Sequence, residues 1–297
     1  MWIKQNNIFS KHHAQVPVVD VYDSFFRIYY STRIDGKSRP MFIDVDKDNP
    51  KNILTSPQKV VLNLGKPGSF DWAGIMPTDI ITIDNVKYLY YIGWSLRQDV
   101  PYHNSLGLAI SKDNGKTWEK YSKGPVFSTS YKEPGYIGTI DVLKENDHFK
   151  GYYLSCQEWI EDEVMEPIYD IKLAISKNGI DWEPTGKICI PLEKNEGGVS
   201  ASRVLKIKDT YYMWFSVRNK INYRINSKDS YRIKLATSQD GVTWTRHTGN
   251  ELGISTEPWE DFMVCYPEIV QSSNKLHMFY NGNGFGKTGI GYAYKTI

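Results

Sequence analysis

"SKDNGKTW" at residues 111–118 returns in altered form as "SKNGIDW" at 176–182 and "SQDGVTW" at 238–244. Each copy follows a short apolar run, "LGLAI", "IKLAI" or "IKLAT", and each ends on a tryptophan: Trp118, Trp182 and Trp244. A phrase copied at near-constant distance marks an architecture in which one supersecondary unit is repeated along the chain. The phrase itself reads as a tight hairpin. Asp113 or Asn114 can bond neighbouring backbone N–H groups, and Gly115 can take the positive φ that such a turn demands.

Upstream of each copy lies an aromatic strand: "KYLYYIGW" (87–94), "FKGYYLSC" (149–156) and "TYYMWFSV" (210–217). Two more such strands, "FRIYYST" (26–32) and "LHMFYNG" (276–282), bring the number to five. Before each stands another apolar strand: "VPVVDVYD", "MPTDIITID", "GTIDVLKEN", "SRVLKIKD" and "YPEIVQSS". Aligning Pro17, Pro77, Thr139, Arg203 and Pro267 gives spacings of 60, 62, 64 and 64 residues. The unit is therefore four strands: inner A, aromatic B, C ending in "AIS" or "ATS", and D beginning at the tryptophan. Short strands punctuated by Asn, Asp and Gly turns predict antiparallel β-structure. Four-stranded units repeated around an axis are propeller blades, and no long helix is evident. The expectation is one all-β, five-bladed propeller over residues 1–297.

The last unit stops at "TGIGYAYKTI", a C strand. "WIKQNNIF" (2–9) resembles "WEKYSKGPVF" (118–127) and "WEPTGKICI" (182–190), so residues 2–9 are expected to supply the outer strand of blade five and close the ring. Strand direction alternates. The A starts and the B-to-C loops then share one face, while the "SKDNGKTW" hairpins lie on the other and are structural.

Composition narrows the function classes. With 40% hydrophobic and 24% charged residues, the chain reads as globular. A net charge of +2 without a dense basic run points away from nucleic acid. No run approaches 18 apolar residues, so no membrane partner is expected, and no apolar leader precedes the first strand, which makes the cytoplasm the default location. Cys156, Cys189 and Cys265 show no paired spacing, which predicts neither a zinc site nor a disulfide framework, and no cofactor is expected. The 21 Tyr and 9 Trp suit strands and also sugar-stacking surfaces.

The pattern "HAQVP", "YYSTR", "GIMP", "YYIGW", "LAISKDNGKTW", "CYPEIV" and "FYNGNGFGKTGIGYA" resembles the five-bladed propeller glycosidases of glycoside hydrolase families 43, 32 and 130. It looks closer still to propellers found among bacterial surface-polysaccharide genes. The resemblance spans nearly the whole chain. It implies a glycan-processing enzyme acting on a terminal or small sugar unit through paired carboxylates in the central funnel. The family 43 carboxylates are not visible, because their positions fall on Gln15 and Val16, near Gly138, and near Ala201 and Ser202. The family 32 "N-D-P" and "E-C-P" patterns are also missing, with "VCYPE" (264–268) a loose echo.

On the expected functional face the acids are Asp71, Glu158, Glu196 and Asp261, with Glu268 one step inside its strand. Glu196, beside Gly197 and Gly198, is the candidate acid, Asp71 the candidate base and Asp261 the third carboxylate. Substrate contacts are expected from His13, Gln15, Arg39, Trp72, Trp94, Arg97, Glu158, Arg203, Arg218, Tyr266, Glu268 and Asn281. The same face carries His12, Arg33 and Tyr136. Three other readings stand beside this one. A non-catalytic carbohydrate-binding propeller would explain the missing carboxylates. A phosphorylase would grip phosphate through residues such as Arg203 and His13. A sialidase-like protein is suggested by the "S-x-D-x-G-x-T-W" phrase itself.

Overall fold

The computed structural model describes residues 1–9, 13–161 and 164–297, and its ordered structure is almost entirely antiparallel strand. Strand β1 (Ile3–Phe9) opens the chain and belongs spatially with the last strands. The first set is β2 (Gln15–Val21), β3 (Phe25–Ile34), β4 (Lys37–Asp46) and the short β5 (Gln58–Lys59). The second is β6 (Gly74–Ile83), β7 (Val86–Ser95), β8 (His103–Ser111) and β9 (Glu119–Lys120). The third is β10 (Ile137–Lys144), β11 (Phe149–Glu161), β12 (Met165–Ser176) and β13 (Glu183–Ile190). The fourth is β14 (Glu196–Ile207), β15 (Thr210–Asn219), β16 (Arg232–Ser238) and β17 (Thr245–Arg246). In the last, β18 (Cys265–Ser272), β19 (Lys275–Asn281) and β20 (Ile290–Thr296) are completed by β1, which pairs antiparallel with β20 from Ile3 opposite Tyr294 to Phe9 opposite Ile290. No helix is long and apolar enough to cross a membrane among the described residues.

The repeated phrase does two jobs. Within each hairpin the Ser111, Ser176 and Ser238 hydroxyls accept from the N–H groups of Gly115, Gly179 and Gly241 at 2.8, 2.9 and 2.9 Å. All three glycines have positive φ, which a side chain would strain. Between sets, the hairpin is a socket for the preceding aromatic strand. The Tyr90 hydroxyl donates to the Gly179 carbonyl at 2.7 Å and that of Tyr152 to the Gly241 carbonyl at 2.9 Å. The closing tryptophans meet these two tyrosines and Tyr29, their counterpart in the first set, edge to face: Trp118 on Tyr29, Trp182 on Tyr90 and Trp244 on Tyr152, with ring centroids 5.7–6.2 Å apart. Trp2 meets Trp214 in the same way at 6.3 Å, so the N-terminal strand repeats the contact of a D strand.

A testable consequence lies in Gly179, where an added Cβ would stand 3.0 Å from the Tyr90 hydroxyl and 3.1 Å from Ile83. Gly186, at φ 76°, has open space around it. Gly179→Ala and Gly186→Ala share a left-handed backbone cost of about 1 kcal/mol. Denaturant titration is expected to show a larger loss for Gly179→Ala, and equal losses would refute the socket.

The inner strands touch one another in the order β2, β6, β10, β14, β18 and back to β2. Carboxylates tie them together: Asp79 accepts from the Val142 N–H (2.6 Å), Asp141 from Val204 (2.8 Å) and Glu268 from Val19 (3.0 Å). All three acids converge on Arg203. Its Nη1 reaches Asp79 and Asp141 at 2.6 Å each, and its Nη2 pairs with Glu268. Arg203 and Glu268, expected to touch substrate, are thus tied up in a buried ion cluster on the inner strands.

Candidate functional site

One residue or two before this cluster, every inner strand breaks register against its partner: between Gln15 and Val18, Pro77 and Asp79, Ile137 and Ile140, Ser200 and Arg203, and Cys265 and Glu268. Such bulges re-aim side chains and cluster at functional sites. Val16, Ala201 and Tyr266 stand there at φ 55°, 49° and 54°. That is strained backbone for any side chain, most of all a β-branched one. The strain is held from neighbouring strands. Asn281 accepts from the Val16 N–H at 2.8 Å, Thr139 from Ala201 at 3.3 Å and Ser216 from Tyr266 at 2.8 Å.

Above the bulges opens a cavity of about 290 Å3. Val16, Met76, Gly138, Thr139, Ser200 and Tyr266 come from the inner strands, and Ile92, Trp94, Leu154 and Arg33 from the ends of the B strands. Tyr102, Tyr136, Tyr169, Tyr223, Arg224, Tyr231 and Phe285 come from C strands and loops. Eight aromatic side chains line it, and no Asp or Glu among the described residues does. Burial pushes the phenols of Tyr136, Tyr223, Tyr231 and Tyr266 far above their ordinary value, so at neutral pH they are hydrogen-bond donors.

Two polar constellations back this wall. Arg218, 1% exposed, lies across the rings of Tyr169 and Tyr223 at 4.9 and 4.1 Å. Its Nε donates to the Tyr169 hydroxyl at 3.2 Å, and that hydroxyl touches the hydroxyl of Tyr231. Glu166, 3% exposed, accepts from the Tyr223 hydroxyl and from Arg224 Nε at 2.6 Å. His13 is half-buried beside Phe285 and Arg33; burial first, then the Arg33 charge, holds its imidazole below the usual value, so it is neutral at pH 7.

Of the residues expected from sequence, Gln15, Trp94 and Tyr266 line the cavity, and Arg218 supports its wall. Asn281 is fully buried and holds the Val16 bulge, donating to the Ala14 and Gly289 carbonyls at 2.7 and 2.8 Å. Trp72 and Arg97 share a separate shallow hollow at the rim, where Lys37 covers the Trp72 ring at 3.9 Å. Arg39 is half-buried on β4, Glu158 is exposed on β11, and exposed Asp261 accepts from Asn283 at 2.7 Å. His12 lies outside the described residues.

The candidate acid and base lie in a different pattern. Asp71 is buried against Lys120 and the Tyr91 hydroxyl (3.3 Å). Glu196 is held by Arg246 through two contacts of 2.6 and 2.8 Å, and although burial raises its carboxyl, Arg246 outweighs this and leaves it below the ordinary value. Two further acids do the same in the other sets: Glu133 binds Lys172 at 3.1 Å and Tyr153 at 2.8 Å, and Glu260 binds Lys4 at 2.9 Å and Tyr280 at 2.8 Å. Asp71, Glu133, Glu196 and Glu260 are 62, 63 and 64 residues apart, the spacing of the repeat itself. They clamp the approach to four of the five inner strands, β6, β10, β14 and β18, onto their own sets, and none lines the cavity. Sequence reasoning passed over Tyr102, Tyr169, Tyr223, Arg224, Tyr231 and Phe285. The available signal was "NYRINSKDSYR" (222–232), an unusually long B-to-C connection carrying two Tyr and two Arg.

The chain is 32% identical over 307 residues to the uncharacterized proteins Rv1502 and MT1551 of two Mycobacterium tuberculosis strains, covering 98% of both partners. The chain belongs to their family. No family model matches it. Among solved structures it is similar to BT0996 in an RGII complex, with a TM-score of 0.74 at 17% identity, covering 99% of this chain and 90% of the other. It is also similar to a β-1,2-mannobiose phosphorylase from Listeria innocua, with a TM-score of 0.73 at 12% identity, covering 100% and 97%. At such identities the likeness is one of fold, and the fold is that of the propeller glycosidases.

Proposed function

We propose that the five strand sets form one five-bladed propeller, closed by β1, whose central cavity binds and processes a terminal sugar unit of a glycan. The carrying observation is the cavity: about 290 Å3, at the small end of ligand sites, with eight aromatic rings and several phenol donors. Aromatic faces stack on the C–H surfaces of a sugar ring, and hydroxyl, amide and guanidinium groups take its hydroxyls. One of the structures that shares this fold is a β-1,2-mannobiose phosphorylase in complex with β-1,2-mannobiose, which agrees with this reading.

With Asp71 and Glu196 committed to clamps, the chemistry falls to the carboxylate that abuts the cavity wall. Glu166 accepts a hydrogen bond from the Tyr223 hydroxyl, and Tyr223 lines the cavity. Glu166, ionised beside Arg224, then acts as a base through Tyr223: as water attacks the anomeric carbon, the Tyr223 oxygen takes the water's proton while its own passes to Glu166, and the departing sugar oxygen takes its proton from solvent. Groups in this role contribute about 10²–10⁴-fold to rate. A panel of aryl glycosides and bacterial oligosaccharides, followed for sugar release, is expected to show turnover that Tyr223→Phe lowers by at least about 10²-fold with sugar binding retained. Turnover unchanged in Tyr223→Phe would remove the assignment. A second reading, a non-catalytic sugar-binding propeller, is favoured by the absence of Asp and Glu from the described lining. Thermal stabilisation by a glycan without any release would decide for it. Three free, buried cysteines suit a reducing compartment and support a cytoplasmic location.

A further inference from the structure

The charge around the cavity does not balance. Arg33 and Arg224 stand at its mouth, on β3 and on the connection between β15 and β16, and both are exposed. Arg224 is neutralised by Glu166. Arg33 has no carboxylate partner among the described residues; its guanidinium lies 5.0 Å over the Trp94 ring. Behind the wall, Arg218 is a nearly fully buried guanidinium, again without a carboxylate partner among the described residues: its donors go to Tyr169 and to the carbonyls of Pro167 and Asn219. Other buried cations of the interior are matched: Lys87 with Asp20, Lys172 with Glu133 and Arg203 with three acids. A buried cation without a counter-ion is costly. Here two unmatched guanidiniums flank a cavity whose described lining holds no acid.

The geometry points to a ligand that brings the missing negative charge: a sugar carrying an anionic group, a carboxylate or a phosphate ester, with that group at Arg33 and the ring against Trp94 and the tyrosine wall. This rests on the sugar-binding reading above and names its substrate class. Arg218 acts from behind, as a fixed positive charge that makes the Tyr169 end of the cavity electropositive without touching the ligand. A guanidinium is suited to the task because its planar fork matches carboxylate and phosphate oxygens. Neutral sugars would leave the excess charge uncompensated.

The test is calorimetric binding to the intact protein of glucuronate, galacturonate and glucose 6-phosphate, beside glucose, galactose and inorganic phosphate. At least one acidic sugar is expected to bind about tenfold or more tighter than its neutral parent, with the preference shrinking as salt rises. Arg33→Met, at an exposed position, should weaken acidic-sugar binding about tenfold more than neutral-sugar binding and so abolish that preference. Equal binding of neutral and acidic partners, or a preference that survives Arg33→Met, overturns the inference while leaving the sugar reading intact. Binding of inorganic phosphate alone also overturns it, since the anion would then not belong to a sugar. Failure of every sugar at millimolar concentration overturns the sugar reading itself.

Discussion

Arg203→Met is expected to leave the protein unable to fold, or to cost at least about 3–5 kcal/mol, the range for removing one partner from a buried ion pair. One guanidinium serves three carboxylates, Asp79, Asp141 and Glu268, each about 2% exposed. The same carboxylates take backbone N–H groups of the next inner strand, so their loss of charge balance reaches three strand-to-strand joints at once. Three negative charges around one positive charge cannot all ionise cheaply. Burial, with the neighbouring acids adding to it and Arg203 opposing, pushes Asp141 up to about 7 and Glu268 up to about 8. The sign of the pH dependence follows. Both folded values lie above the ordinary values of 3.8 and 4.5, so the native state binds more protons than the unfolded chain between those limits. The stability these groups contribute is full below about pH 4, declines as pH rises, and is lost by about pH 7 for Asp141 and pH 8 for Glu268. Denaturant titrations of the wild type from pH 5 to 9 should show the decline levelling off above pH 8. Arg203→Met should fold best at the acid end, where protonation discharges the orphaned acids. A variant as stable as the wild type at pH 8 would show that the cluster does not hold the inner strands.

What was legible in the sequence is what repeats. The "SKDNGKTW" hairpins, the five aromatic strands and the likeness of residues 2–9 to the D strands all follow from local rules: glycine for positive φ, Asp and Ser for turn N–H groups, alternating apolar residues for strands. The partner of each side chain did not follow. Asp71 and Glu196 read as catalytic candidates because isolated carboxylates near strand starts look alike whether they face a ligand or a lysine. Their spacing from Glu133 and Glu260 carried the distinction, since a carboxylate that recurs with the repeat belongs to its scaffold. The fourth set shows how far the scaffold holds: Phe215 stands where Tyr91, Tyr153 and Tyr280 bind their clamps, and Arg246 grips Glu196 twice instead. The cavity is built from what does not repeat, such as the 222–232 connection, and no period announces such residues.

Deletion of residues 1–9 is expected to be the most damaging change outside the inner strands. Trp2 is 8% exposed, packs edge to face on Trp214, and donates from Nε1 to Glu251 at 2.7 Å. Lys4 is the partner of Glu260, and its loss leaves a carboxylate of the last set buried without its cation. Asn7 donates to the Thr288 carbonyl at 2.5 Å, while Ile8 and Phe9 fill a core with Tyr30, Phe279, Ile290 and Tyr292. Removing a single buried Trp or Phe costs about 3–5 kcal/mol. Losing Trp2 and Phe9, the Lys4 pair and the ladder along β20 together exceeds the margin of an ordinary domain, about 5–15 kcal/mol in total. The exposed β20 edge would in addition offer unpaired N–H and C=O groups to other chains, so aggregation is the expected fate. The pairing is non-covalent, which allows a sharper test than loss alone. A synthetic peptide of residues 1–9, added during refolding of the truncated chain, should restore soluble protein in proportion to its concentration, by the linkage between binding and folding. The same peptide with Trp2→Ala should restore much less, because it lacks the contact that Trp118, Trp182 and Trp244 make in the other sets. A truncated chain that stays soluble and melts with the full-length protein would mean that β1 decorates the last set and that the proposed closure does not hold the fold together.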